Sequence, residues 1–118
     1  MNVLVVEDNR AMRQMVRRAL LQTGVTDLNV DEAENGSEAL AKLALGEPDL
    51  ILSDWSMPKM NGVELLCELR SRGCGVRFGF VTRNAASEQM REKAFQAGAQ
   101  FMLEAPLSVQ RIRELLAA

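Results

Sequence analysis

Residues 50–62 read Leu50-Ile51-Leu52-Ser53-Asp54-Trp55-Ser56-Met57-Pro58-Lys59-Met60-Asn61-Gly62. The opening apolar residues occupy successive positions, which suits a strand buried on both faces, as in a parallel sheet. Asp54 ends that run, and Asn61 is a candidate N-cap for the helix that follows. Val63, Leu66 and Cys67 then share one helical face before Gly73, so Cys67 is expected to be buried. The same unit recurs on both sides. Val3 to Val6 and Phe78 to Val81 are further β-rich apolar runs, with weaker ones at Leu28 to Val30 and Phe101 to Leu103. Between them lie helical faces. Met12, Met15, Val16, Ala19 and Leu20 precede Gly24, and Ala39, Leu40, Leu43 and Ala44 precede Gly46. Met90, Ala94 and Ala97 precede Gly98, and Val109, Ile112, Leu115 and Leu116 close the chain. Asn9, Asn35, Ser87 and Ser108 stand where caps are wanted.

Strict alternation of five strands and five helices predicts an α/β fold, a parallel sheet covered on both faces. Five units cannot close an eight-stranded barrel, so the sheet is open and doubly wound. The length of 118 residues predicts one domain over residues 1–118, with no linker or low-complexity stretch.

Composition narrows the function classes. Hydrophobic residues make up 47% and charged residues 25%, an ordinary globular mix. The 14 Lys and Arg against 16 Asp and Glu argue against a basic nucleic-acid module. The sequence contains no His, which removes Ser-His-Asp catalysis, His-ligated zinc and imidazole acid–base chemistry. The two cysteines predict no disulfide framework, and Cys74, between glycines, is expected in an exposed loop. No apolar run approaches the roughly 20 residues of a membrane span, and the start is no signal peptide, so the expected address is the cytoplasm.

Ligands of open parallel sheets bind at the carboxyl ends of the strands. The first strand delivers Glu7 and Asp8 there, the third Asp54, the fourth Thr82 and the fifth Glu104-Ala105-Pro106. Two carboxylates about 4 Å apart repel by roughly 4 kcal/mol at an effective dielectric near 20. A hard divalent cation held by oxygens offsets that, and Mg²⁺ takes one or two carboxylates and fills its shell with water and phosphate oxygens. Taken singly, Asp8 or Asn9 reads as a helix cap and Thr82 as a strand residue bonded to its own backbone. Their joint placement at three strand ends is what points to a site.

Val5-Val6-Glu7-Asp8, the string from Asp54 to Gly62, Val81-Thr82, Gly98-Ala99 and Pro106 together resemble the receiver domain of two-component response regulators. The likeness is strongest to the single-domain chemotaxis (CheY-like) type and covers essentially the whole chain. It implies a five-stranded sheet in order 2-1-3-4-5, and phosphoryl acceptance on Asp54 from a sensor histidine kinase or phosphotransfer protein. It implies Mg²⁺ held by Asp8, by Glu7 through water, by Asp54 and by the backbone carbonyl of Ser56, with Thr82 turning toward the phosphoryl group. It further implies output to a downstream protein through the fourth helix, fifth strand and fifth helix, a face expected to include Gln89, Lys93, Met102, Gln110 and Arg111.

Three positions depart from the family pattern. The usual Lys before the Pro after the fifth strand is Ala105, the usual aromatic switch residue is Met102, and Arg83 stands where a small residue is usual. Arg83 either screens the site, reaches in as a substitute cation, or is a solvent-facing loop residue. Trp55 is expected to pack over the site rim, and the seven Met residues to fill the core. Arg10, Arg13, Arg17 and Arg18 make the first helix basic, either as a solvated face or as a dock for an acidic partner. The leading expectation is a non-enzymatic signalling module. Two readings stand beside it: a degenerate receiver that binds partners without phosphorylation, and a Mg²⁺-dependent Asp phosphatase, which would want a second Asp near the nucleophile, whereas Ser56 stands two residues after Asp54.

Overall fold

The computed structural model describes residues 1–117. Its elements alternate as β1 (Asn2–Val6), α1 (Arg10–Gln22), β2 (Asn29–Ala33), α2 (Gly36–Leu43), β3 (Leu50–Asp54), α3 (Gly62–Ser71), β4 (Arg77–Thr82), α4 (Glu88–Ala97), β5 (Phe101–Glu104) and α5 (Val109–Ala117). The strands form one parallel sheet in the order β2-β1-β3-β4-β5, as the resemblance implied. Among the described residues, no helix is long and apolar enough to cross a membrane.

Alternating side chains on the strands feed two separate cores. Leu4, Val6, Ile51, Phe78, Phe80 and Met102 face α2, α3 and α4, against Ala39, Leu65, Leu66, Leu69 and Ala94. Val3, Val5, Leu50, Leu52, Val81, Phe101 and Leu103 face α1 and α5, against Met12, Val16, Ala19, Leu20, Ile112 and Leu116. Phe78 and Phe80 are fully buried and meet edge to face at 5.1 Å. Burial of each such side chain contributes about 1.5–3 kcal/mol.

Sequence-local chemistry sets the helix starts. The side chains of Asn9, Asn35, Asn61 and Ser87 accept from the backbone N–H groups of Met12, Glu38, Glu64 and Met90. Ser108 accepts from Arg111 N at 3.1 Å. Each such cap is worth ~1 kcal/mol. Asn61 and Glu64 complete a capping box, which pins α3 immediately after the loop that follows Asp54.

Three expectations need correction. The second strand runs from Asn29 to Ala33 and not over Leu28 to Val30. It is a sheet edge, half exposed, so packing asks little apolar character of it and Asp31 and Glu32 are admitted. On α3 the buried stripe is Leu65, Leu66 and Leu69, while Cys67 is exposed and Val63 only partly buried. Docking of the helix N-terminus at Gly62 sets this phase, and it turns Cys67 outward. Cys74 is not an exposed loop thiol either: it is partly buried against the α2–α4 core. Its backbone closes the turn after α3, with Cys74 N donating to Leu69 O at 3.0 Å.

Candidate functional site

The sheet order reverses between β1 and β3, and this reversal builds the site. Val6 is level with Ser53 across the β1–β3 pair, so the next residues, Glu7 and Asp54, emerge side by side. Asp8 follows on the same rim. Carboxylate oxygens of Glu7, Asp8 and Asp54 lie within 4.8 Å of one another. Glu7 is 2% exposed and Asp54 9%, whereas Asp8 is exposed.

Glu7 is the unusual member. Neither of its oxygens has a hydrogen-bond partner among the described residues. Its nearest cation is Arg83, with Nη2 3.6 Å from Oε1, beyond hydrogen-bond length. Burial pushes the Glu7 carboxyl up to about 9, with the neighbouring Asp54 and then Asp8 adding to the rise. A buried carboxylate left without donors is strongly unfavourable, so the arrangement calls for a cation or a proton. An all-oxygen donor set of this kind fits a hard divalent ion such as Mg²⁺.

The local frame holds these groups in place. Arg13, on α1, donates from Nη1 to the backbone carbonyl of Glu7 at 2.8 Å and from Nε to Glu32 at 2.9 Å. Arg17 donates to Val30 O and faces Glu32 across 3.6 Å. Two of the four α1 arginines are therefore tied to β1 and β2, which leaves Arg10 and Arg18 as the exposed ones. The Asp54 carbonyl accepts from Ser53 Oγ at 3.0 Å. A Cβ on Gly62 would lie 2.3 Å from that same carbonyl and 2.7 Å from the Phe80 ring, so α3 begins hard against the end of β3.

Asp8, Asp54, Trp55, Ser56, Thr82, Arg83, Asn84, Ala85 and Met90 line an open cavity of about 410 Å³ over the carboxylates. Trp55 packs edge to face on Phe80 at 4.9 Å and forms one wall, as expected of it. Thr82 reaches the cavity, but its buried hydroxyl donates to Asn84 O at 2.7 Å, an engagement with its own loop. Ala105 is half-buried, and its N–H donates to Thr82 O at 2.9 Å. The neighbouring Glu104 is paired with Arg91 of α4. Met102 is 5% exposed and packed in the α2–α4 core, so it does not belong to an outer face. The inward phase of β5 puts it there. Gln89, Lys93, Gln110 and Arg111 are exposed. Asn84, Ala85 and Met90 were not expected at the site, because nothing in a loop and helix start signals that they close over a distant strand end. The role of Arg13 was hidden in the basic face of α1.

The chain also matches known proteins. The family model for the response regulator receiver domain matches residues 3–117. The response regulator MprA of Mycobacterium ulcerans is 37% identical over 119 residues, covering 97% of this chain and 49% of that protein. MprA of Mycobacterium avium is 37% identical over 121 residues, covering 98% of this chain and 51% of that one. The chain thus spans about half the length of the curated relatives it matches. Among solved structures, the chemotaxis protein CheY4 of Vibrio cholerae superposes with a TM-score of 0.84 at 29% identity, covering 98% of this chain and 95% of that one. The receiver domain of the putative response regulator NarL from Mycobacterium tuberculosis gives 0.86 at 28% identity, covering 98% and 92%. This chain belongs to the response regulator receiver domain family of two-component signalling.

Proposed function

We propose that residues 1–118 form one receiver domain that accepts a phosphoryl group on Asp54 and signals by altered protein binding. The observation that carries this reading is Glu7, buried and without a hydrogen-bond donor, within 4.8 Å of the other two strand-end carboxylates. A site of that kind is satisfied by a divalent ion, and an open cavity beside it has room for a phosphoryl group. Asp8 and Asp54, with Glu7 behind them and the carbonyl of Ser56, would hold Mg²⁺. When bound, the ion spreads the charge that develops on the phosphoryl oxygens.

A carboxylate oxygen of Asp54 attacks phosphorus as the bond from phosphorus to the donor breaks. The leaving group departs with that electron pair, and a phosphohistidine donor's imidazole regains its proton from solvent. The burial of Asp54 at the strand end fixes the attacking oxygen, and Trp55 walls the site from one side. Thr82 then exchanges its bond to Asn84 O for one to a phosphoryl oxygen. The donor is a sensor histidine kinase or phosphotransfer protein, and the domain is not itself an enzyme. The exposed residues Gln89, Lys93, Gln110 and Arg111 form the output face toward a downstream protein.

Acetyl phosphate with MgCl₂ tests the assignment. The intact protein is expected to gain one phosphoryl mass, and Asp54→Asn to gain none. Labelling of Asp54→Asn to the wild-type level would remove Asp54 as acceptor. Uncharged Ala105 favours a second reading, a receiver that binds its partner unphosphorylated. Wild type that takes up no phosphoryl mass would select it.

A further inference from the structure

We infer that Arg83 is the resident cation of this site, standing over the Glu7–Asp8–Asp54 cluster before the metal arrives and binding the phosphoryl group once it is on Asp54. The inference rests on the phosphoacceptor reading and adds to it the residue that recognises the anion. Among the described residues that line the cavity, Arg83 is the only cationic one. Its Nη2 is 3.6 Å from Glu7 Oε1, and the Glu7 carboxylate lies in the cluster that includes Asp54. The guanidinium is 53% exposed and, among the described residues, donates no hydrogen bond, so its donors are free. Competing cations are committed elsewhere. Arg91 is paired with Glu104, and Arg13 is bonded to Glu32 and the Glu7 carbonyl. Residue 105, on the neighbouring strand end, carries no charge.

Arg83 follows Thr82 directly, so the strand that delivers the hydroxyl also delivers the guanidinium. A planar guanidinium matches phosphoryl oxygens with paired N–H donors. The same charge opposes a divalent ion at Glu7, because two cations then share one group of carboxylates. Arg83 therefore acts with opposite sign on the two ligands. It weakens metal binding to the unmodified site and strengthens binding of the phosphoryl group.

Trp55 fluorescence reads both constants, with MgCl₂ alone and with beryllofluoride, a phosphoryl mimic, at saturating MgCl₂. Arg83→Ala is expected to tighten Mg²⁺ several-fold and to weaken beryllofluoride at least about tenfold, the scale of one lost charge-assisted hydrogen bond. Arg83→Lys keeps the charge and should retain most of both wild-type constants. Adding Ala105→Lys to Arg83→Ala should restore beryllofluoride binding. A change in only one constant, or in both in the same direction, overturns the inference, as does no change in either. Failure of the underlying reading shows separately, as wild type that acetyl phosphate leaves unlabelled.

Discussion

Glu7 concentrates the physical tension of this molecule in one side chain. Its carboxyl is raised from 4.5 to about 9, first by burial and then by Asp54 and Asp8. Between those values the folded, metal-free protein holds a proton that the unfolded chain has released. Its contribution to stability is therefore full below about pH 4.5 and is lost progressively as pH rises toward about 9. Glu7→Gln keeps the shape and removes the charge. In metal-free buffer its melting temperature should exceed that of wild type increasingly as pH rises toward about 9, by ~5 °C for each kcal/mol of linked stability that wild type loses. Excess MgCl₂ should shrink the difference, because metal binding uses the charged carboxylate. Parallel pH profiles for the two proteins would show that Glu7 is not held in this state. The strand-end position of Glu7, Asp8 and Asp54 was readable in the sequence. The engagement of Thr82 was not, since a hydroxyl two residues from an Asn carbonyl has no periodic signature.

At the scale of elements, the contact between α3 and the end of β3 governs the site. The capping box of Asn61 and Glu64 starts the helix, and the absence of a side chain at Gly62 lets it touch the Asp54 carbonyl. An added methyl at 2.3 Å from a backbone oxygen forces strand or helix to move. Gly62→Ala should cost ~1–3 kcal/mol in urea unfolding, as overpacking does, and should also slow phosphoryl uptake by an intact Asp54. Unchanged uptake despite lost stability would mean the junction supports only the fold. The same junction explains the error over Cys67. Two apolar stripes on α3 satisfy helical spacing, one through Val63, Leu66 and Cys67 and one through Leu65, Leu66 and Leu69. Periodicity alone does not choose between them. The docked glycine does.

At the scale of the whole molecule, two separate cores pack the two faces of the sheet. Met102 belongs to the core under α4 and has no outward face from which to report a change at Asp54. The Arg91–Glu104 pair further ties α4 to the end of β5. Beryllofluoride with MgCl₂ is therefore expected to shift amides most strongly in the loops after β1, β3 and β4. Smaller shifts should appear at Gln89, Lys93, Gln110 and Arg111. Amide mapping that placed the largest shifts on α1 would move the output surface to the exposed Arg10 and Arg18.

The alternation of elements, the helix caps and the set of acids at strand ends are all legible in the chain before it folds. Each is local: apolar runs, 3.6-residue stripes and Asn or Ser beside a first turn are written within a few residues. Family resemblance added the order of the strands. The docking of the elements settles the rest. It chose the stripe of α3 that is buried, admitted a charged strand at the edge of the sheet and turned Met102 inward. It also set Arg83 3.6 Å from a carboxylate that lies 76 positions earlier in the chain. Such placements arise from how whole elements dock, and the free energy of docking is shared among side chains far apart in sequence, so no local pattern records it.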